Sequence, residues 1–139
     1  MKLKYIFATL LSTMFVFSAC KKEAGPGGTS SIRGKVYARY YNKTYSVKAD
    51  SAYAPDIDVY IIYGNDFSYG ERTRTSYDGS YEFRFLQKGT YTIFAYSKDT
   101  TGAASFQANQ FSPDVAVKKK AEITKGRQKV VLTDIEIIQ

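Results

Sequence analysis

From Ile32 to the C-terminus, apolar residues recur at every second position, and no stretch shows the three-to-four spacing of an amphipathic helix. Ile32, Gly34, Val36, Ala38 and Tyr40 alternate with Arg33, Lys35, Tyr37, Arg39 and Tyr41, the pattern of a half-buried strand. In the run Asp56 to Tyr63, Ile57, Val59 and Ile61 share one face, and Arg72 to Ser76 reads as a polar strand near an edge. Asp78-Gly79 is a short-range hairpin signal. Beyond it Tyr81, Phe83 and Phe85 alternate with Glu82 and Arg84, and Gln87-Lys88-Gly89 makes the next turn. Tyr91, Ile93 and Ala95 form the inward set of a strand from Thr90 to Ser97. Val115 and Val117 begin another strand, Lys118 to Lys120 read as its solvated hairpin end, and Lys129 to Ile138 form a final strand. About seven strands joined mostly by short turns predict an all-β fold, a single antiparallel β-sandwich in which each sheet covers the other's apolar face.

The segment before Ile32 has another character. Lys2 and Lys4 precede an apolar run from Ile6 to Phe17, about 12 residues against the ~20 that a spanning helix needs. This is the pattern of a cleaved secretory signal over residues 1–19. It ends Phe17-Ser18-Ala19-Cys20, which resembles the lipobox of bacterial lipoproteins, with Phe17 where an aliphatic residue usually stands. The resemblance implies that Cys20 is the lipidated first residue of the mature chain, with several acyl chains as its membrane anchor. Residues 20–31, the lipidated Cys and a Gly-Pro-Gly-Gly stretch of small polar residues, predict a flexible tether with a reach of ~30 Å. Lys22 stands where an Asp would resemble an inner-membrane retention signal, so the expected location is the outer membrane of a Gram-negative bacterium. Lys21-Lys22-Glu23 loosely resembles surface-export tags, which leaves the periplasmic and surface-facing sides both open.

Composition narrows the chemistry. The 139 residues allow one domain, here 32–139. There is no His and a single Cys, so Ser-His and Cys-His nucleophiles, His-containing zinc sites and intrachain disulfides are excluded. Lys and Arg exceed Asp and Glu by 20 to 13, a net charge of +7. Asp56 and Asp58 lie two apart, with Asn65, Asp66 and Asp99 as further candidates. A hard-cation site needs six or more converging oxygens, and a solvated strand face accounts for the pair more simply. No metal, no cofactor and no catalytic set are expected.

The segments Gly34-Lys35-Val36, Ala54 to Ile61, Thr75 to Phe83 and Leu86 to Ile93 line up, in that order, with one family. The chain resembles the carboxypeptidase regulatory-like, prealbumin-like (transthyretin-type) β-sandwich domain over Ile32 to Ile138. The most specific part is the D-G-x-Y-x-F turn at Asp78 to Phe83, followed by L-x-x-G-x-Y-x-I at Leu86 to Ile93. The resemblance implies a fold and carries no chemistry with it. Hydroxyisourate hydrolases and intradiol dioxygenases share related cores but need His, which this chain lacks. Ala95 stands where collagen-adhesin repeats carry the Glu that assists an isopeptide bond.

Two surfaces are candidates for ligand contact. The first strand presents Arg33, Lys35, Tyr37, Arg39, Tyr41 and Lys43 on its outward face, cations interleaved with aromatics. That face suits an acidic glycan, or serves as a lysine-protected edge. Nucleic acid is not an expected partner of an exported lipoprotein. Phe94 and Tyr96 form the second candidate, an outward aromatic pair that can stack on sugar rings or seat a partner, or be covered by Thr100 to Ser112. The expected function is a non-catalytic binding or structural module that contacts a glycan or an envelope protein. The alternative is a subunit of a surface fibre or adhesin assembled through strand pairing.

Overall fold

The computed structural model describes residues 23–43, 45–99 and 114–139. Every regular element among them is a strand: β1 (Pro26–Tyr41), β2 (Lys48–Tyr53), β3 (Asp58–Tyr63), β4 (Glu71–Arg74), β5 (Ser80–Leu86), β6 (Gly89–Lys98), β7 (Asp114–Ile123), β8 (Lys129–Val131) and β9 (Ile135–Ile138). They form two sheets. In the first, β1 pairs with β2, β5, β8 and β9; the second has the order β4-β3-β6-β7. The core lies between them. Ile32, Val36, Ala38, Phe83, Leu86, Ile135 and Ile137 from the first sheet meet Val59, Ile61, Tyr91, Ile93 and Ala95 from the second. The all-β sandwich is as the alternation predicts. Among the described residues no helix is long and apolar enough to cross a membrane.

The sequence reading needs correction in several places. β1 begins at Pro26, so residues 26–31 belong to the sheet and not to a tether. The small side chains that suggest a linker are required there. The Thr29 and Ser30 hydroxyls accept from the backbone N–H groups of Arg127 and Gln128, and the Ser30 hydroxyl donates to the Lys125 carbonyl. A Cβ on Gly28 would lie 1.9 Å from the Leu86 carbonyl oxygen. β2 has no apolar alternation to betray it; it is mostly exposed and held by its antiparallel ladder to β1. The expected final strand is two strands, and both run parallel to β1, so the first sheet is not purely antiparallel. Lys118 to Lys120 lie within edge strand β7 rather than at a hairpin end.

Two bulges set which side chains are inside. Between Ser30 and Ile32, β1 advances two residues while β5 advances three, from Leu86 to Phe83. Phe85 absorbs the extra residue with φ 57°. Its side chain turns outward, 70% exposed, and Leu86 takes the core position that Phe85 was expected to hold. A similar offset separates β8 from β9. β1 advances from Arg33 to Val36 while its partner advances from Val131 to Ile135. Val130 and Leu132 pack against the core before this offset, Ile135 and Ile137 after it.

The Asp-Gly turn is also not a hairpin. β4 pairs with β3 and β5 with β1, so Ser76 to Ser80 carries the chain from one sheet to the other. The Gly79 N–H donates to the Ser76 carbonyl, and the Ser76 N–H to that of Ser80. Gly79 has φ 75°, and a Cβ there would lie 2.8 Å from Tyr53 Cβ and 3.0 Å from the Val36 carbonyl oxygen. Val36 joins three elements: its N–H donates to the Gly79 carbonyl, and its own carbonyl accepts from Ala54 N–H. Asp78 accepts from the Ser80 hydroxyl at 2.6 Å and the Ser80 N–H at 3.1 Å, and pairs with Lys35 at 3.1 Å. These bonds, the Ser80 hydroxyl foremost, hold its carboxyl down to about 2.

The β5 bulge predicts opposite sensitivities for adjacent alternating aromatics. Phe83→Ala should cost about 3–5 kcal/mol in urea unfolding, and Phe85→Ala less than about 1; equal losses would contradict the bulge. The turn predicts an acid limb. The depressed carboxyl of Asp78 contributes stability above about pH 4, which is lost as the pH falls toward 2. Asp78→Asn keeps an acceptor for Ser80 and removes the charge, so its melting temperature should fall less steeply than the parent's between pH 4 and 2.

Candidate functional site

The outward row of β1 stands as the alternation predicts, but in the middle of a sheet rather than at its edge. The lysine-bearing edge is β7. Most of the row is already engaged. Lys35 Nζ lies 3.1 Å from Asp78 and 4.7 Å from the centroid of the Tyr53 ring. Tyr37 donates to the Ser51 hydroxyl at 2.9 Å and meets Tyr53 edge-on at 5.4 Å. Tyr53 in turn donates to Asp134, and that bond pushes its phenol up. Arg39 is ion-paired with Glu136. Tyr41 is half-buried at the end of the strand. Arg33 is exposed, and its side chain makes no ion pair or hydrogen bond among the described residues.

Phe94 and Tyr96 belong to a larger aromatic cluster on the outer face of the second sheet. The β3–β6 register sets Tyr60 directly opposite Phe94. The two rings stack, 5.0 Å between centroids and 15° between planes. Tyr96 stands edge-on to both, at 5.6 Å from Tyr60 and 5.5 Å from Phe94. Tyr69, from the segment between β3 and β4, closes on Tyr60 at 4.9 Å. Phe94 is only 6% exposed beneath its neighbours, whereas Tyr96 is 45% and Tyr69 54% exposed. Phe94 is therefore the floor of the cluster, and the two tyrosines are its accessible walls. Cover by Thr100 to Ser112 concerns residues outside the described set, as does Cys20.

Sequence reasoning missed Tyr60 and Tyr69. Tyr60 is the outward residue between Val59 and Ile61, a signal visible in the alternation, but its place beside Phe94 depends on strand register. Tyr69 lies outside the regular strands and gave no periodic signal.

The rim of the cluster is charged. Arg72 lies opposite Tyr60, and Lys118 opposite Phe94. Asp58 accepts from Arg72 at 3.4 Å and Arg74 at 3.0 Å, and its bond to Arg74 pushes that guanidinium up further. Asp58 is thus committed to cations of the same protein. Asp56 sits in a turn with φ 57°. No group of three or more His, Cys, Asp or Glu side chains among the described residues could hold a metal ion.

Around Arg33 the surface forms an open groove of about 690 Å³, lined by Arg33, Lys35, Arg74, Asp78, Glu82 and Arg84 among others. Glu82 pairs with Arg84 at 2.7 Å, and this bond holds its carboxyl below the usual range.

No family model matches the chain, and no curated protein matches it. Among solved structures, it can be superposed on the crystal structure of a "putative carbohydrate binding protein" (PA1324) from Pseudomonas aeruginosa, with 15% identity and a TM-score of 0.45, covering 79% of this chain and 91% of that one.

The cluster separates structural from accessible aromatics. Phe94→Ala removes a buried ring and should cost about 3 kcal/mol or more. Tyr96→Ala should cost about 1 kcal/mol or less. Thermal or urea unfolding of the two variants checks this, and a larger loss at Tyr96 would contradict it.

Proposed function

We propose that this chain is a non-catalytic glycan-binding module, held on the outer membrane of a Gram-negative bacterium by a lipid on Cys20. The observation that carries the reading is the Tyr60, Tyr69, Phe94 and Tyr96 cluster on a sheet face. The C–H faces of sugar rings pack on aromatic rings, and an exposed, rigid aromatic cluster rimmed by polar groups is a binding surface. Each ring here is braced by another, so little side-chain freedom is lost when a ligand lands. The prealbumin-like assignment belongs to the same reading and rests on the motifs at Asp78 to Phe83 and Leu86 to Ile93.

Gly25 N–H donates to the Tyr91 hydroxyl, which donates to the Gln87 carbonyl, so the chain is docked by residue 25. A lipid on Cys20 would then lie only ~14 Å of extended chain from Ala24. Tyr96 lies five residues along β6 from Tyr91, roughly 17 Å from that docking point. Assembly into a fibre through strand pairing has less support, because edge strand β7 carries Lys118 to Lys120 and edge strand β4 carries Arg72 and Arg74.

The test is retardation of the full chain in native gels that contain soluble polysaccharides, with the double variant Tyr69→Ala/Tyr96→Ala alongside. At least one polysaccharide should retard the parent, without release of reducing ends, and the double variant should bind it about tenfold more weakly. Retardation that is unchanged in the double variant would refute the aromatic surface as the binding site.

A further inference from the structure

The groove beside β4 and β5 shows which glycans the surface would favour. Four of its lining side chains are cationic, Arg33, Lys35, Arg74 and Arg84, against two carboxylates, Asp78 and Glu82. The ion pairs within it leave the guanidinium groups largely free. Arg84 reaches Glu82 through Nε alone, and Arg74 reaches Asp58 through Nε alone. Their terminal nitrogens make no hydrogen bond among the described residues, nor does the Arg33 guanidinium, which acts on Glu82 only as a nearby charge. Glu82 in the groove and Asp58 outside it each orient an arginine and leave its outer fork open, while Asp78 holds Lys35; such a fork matches a carboxylate or a sulfate ester.

The groove and the aromatic cluster are linked only through the edge strand β4. Arg74 lines the groove and holds Asp58, and Asp58 lies two residues from Tyr60 on the same face of β3. Most of the groove lies on the outer face of the first sheet and the aromatic cluster on that of the second, so the edge of the sandwich at β4 separates them. A polysaccharide stacked on Tyr60 and Tyr96 would have to turn around the β4 edge, past Arg74, to set further units in the groove. We infer that the Arg33–Arg74–Arg84 groove is an acidic-sugar subsite, and that the ligand class is an anionic polysaccharide bearing uronate carboxylates or sulfate esters. This rests on the glycan-binding reading for its aromatic half. The charged half stands on the groove.

The experiment uses the full chain and two matched pairs of probes: polygalacturonate with its methyl ester, and dextran sulfate with dextran. Within a pair the backbone is the same and only the charge differs. The charged member of at least one pair should bind about tenfold more tightly, and added salt should erase the preference. Which pair responds distinguishes carboxylate from sulfate. Arg33→Gln touches no internal bond and should lower binding of the charged member about fivefold, while leaving the neutral member unchanged; Arg33→Lys should restore part of the loss. Equal binding of charged and neutral members in both pairs overturns the inference, as does a charge preference that survives both Arg33→Gln and Arg84→Gln. Binding of neutral probes that depends on Tyr69 and Tyr96, with no charge preference, overturns the subsite alone. A charge preference that depends on Arg33 but not on the tyrosines supports the subsite and removes the aromatic cluster from the ligand site.

Discussion

The structure depends on one strand that is hydrogen-bonded to four others. β1 receives β2 and β5 antiparallel and β8 and β9 parallel, so most of its main-chain donors and acceptors have partners in the sheet. Its middle is the tightest point. Val36 bonds both to Gly79, at the start of β5, and to Ala54, just beyond β2, while Gly79 packs too closely for a side chain. With the backbone held in this way, the side chains of β1 have fixed sides. Ile32, Val36 and Ala38 are fully buried, and Arg33, Lys35, Tyr37 and Arg39 are turned outward.

The core is completed by departures from regular pairing. A strict period of two through β5 would bury Phe85 and expose Leu86; the extra residue at Phe85 reverses that. An extra residue between β8 and β9 keeps both Leu132 and Ile135 on the core side. The two long strands of the second sheet, β6 and β7, are paired without a shift from Gly89 to Lys98. This regular ladder is the support on which the outer aromatic face is built.

The outer surface combines a stacked aromatic floor with arginines oriented by carboxylates. Tyr60 and Phe94 are cross-strand partners, and their outward rings cover each other while Tyr69 and Tyr96 flank them. At the edge strand β4 and on β5 of the other sheet, the pairs Arg74 with Asp58 and Arg84 with Glu82 fix guanidinium groups in the groove. Such exposed pairs contribute little to stability. What they do contribute is orientation, and for a binding surface that lowers the cost of ordering the side chains against a ligand.

Alternation along the chain was enough to establish the all-β class, because the period of two in Ile32 to Tyr40, Ile57 to Ile61 and Tyr91 to Ala95 reflects local backbone geometry. The outward position of Arg33, Phe94 and Tyr96 followed from the same rule, and the absence of His excluded imidazole chemistry from composition alone. Which strands become neighbours is a long-range matter. The parallel pairing of β8 and β9 with β1 joins residues about a hundred positions apart, and no local signal encodes it. The strand character of residues 26–31 comes from contacts with Leu86 and the turn at Lys125 to Gln128, since its Gly and Ser residues have no strand preference of their own. The Phe85 bulge answers the register of β1. Tyr60 and Tyr69 become part of the aromatic face only when β3 is aligned with β6 and the chain between β3 and β4 folds over it. The alternation could therefore place each side chain on a face, and only the packing of the two sheets decided which faces meet and which side chains share a surface.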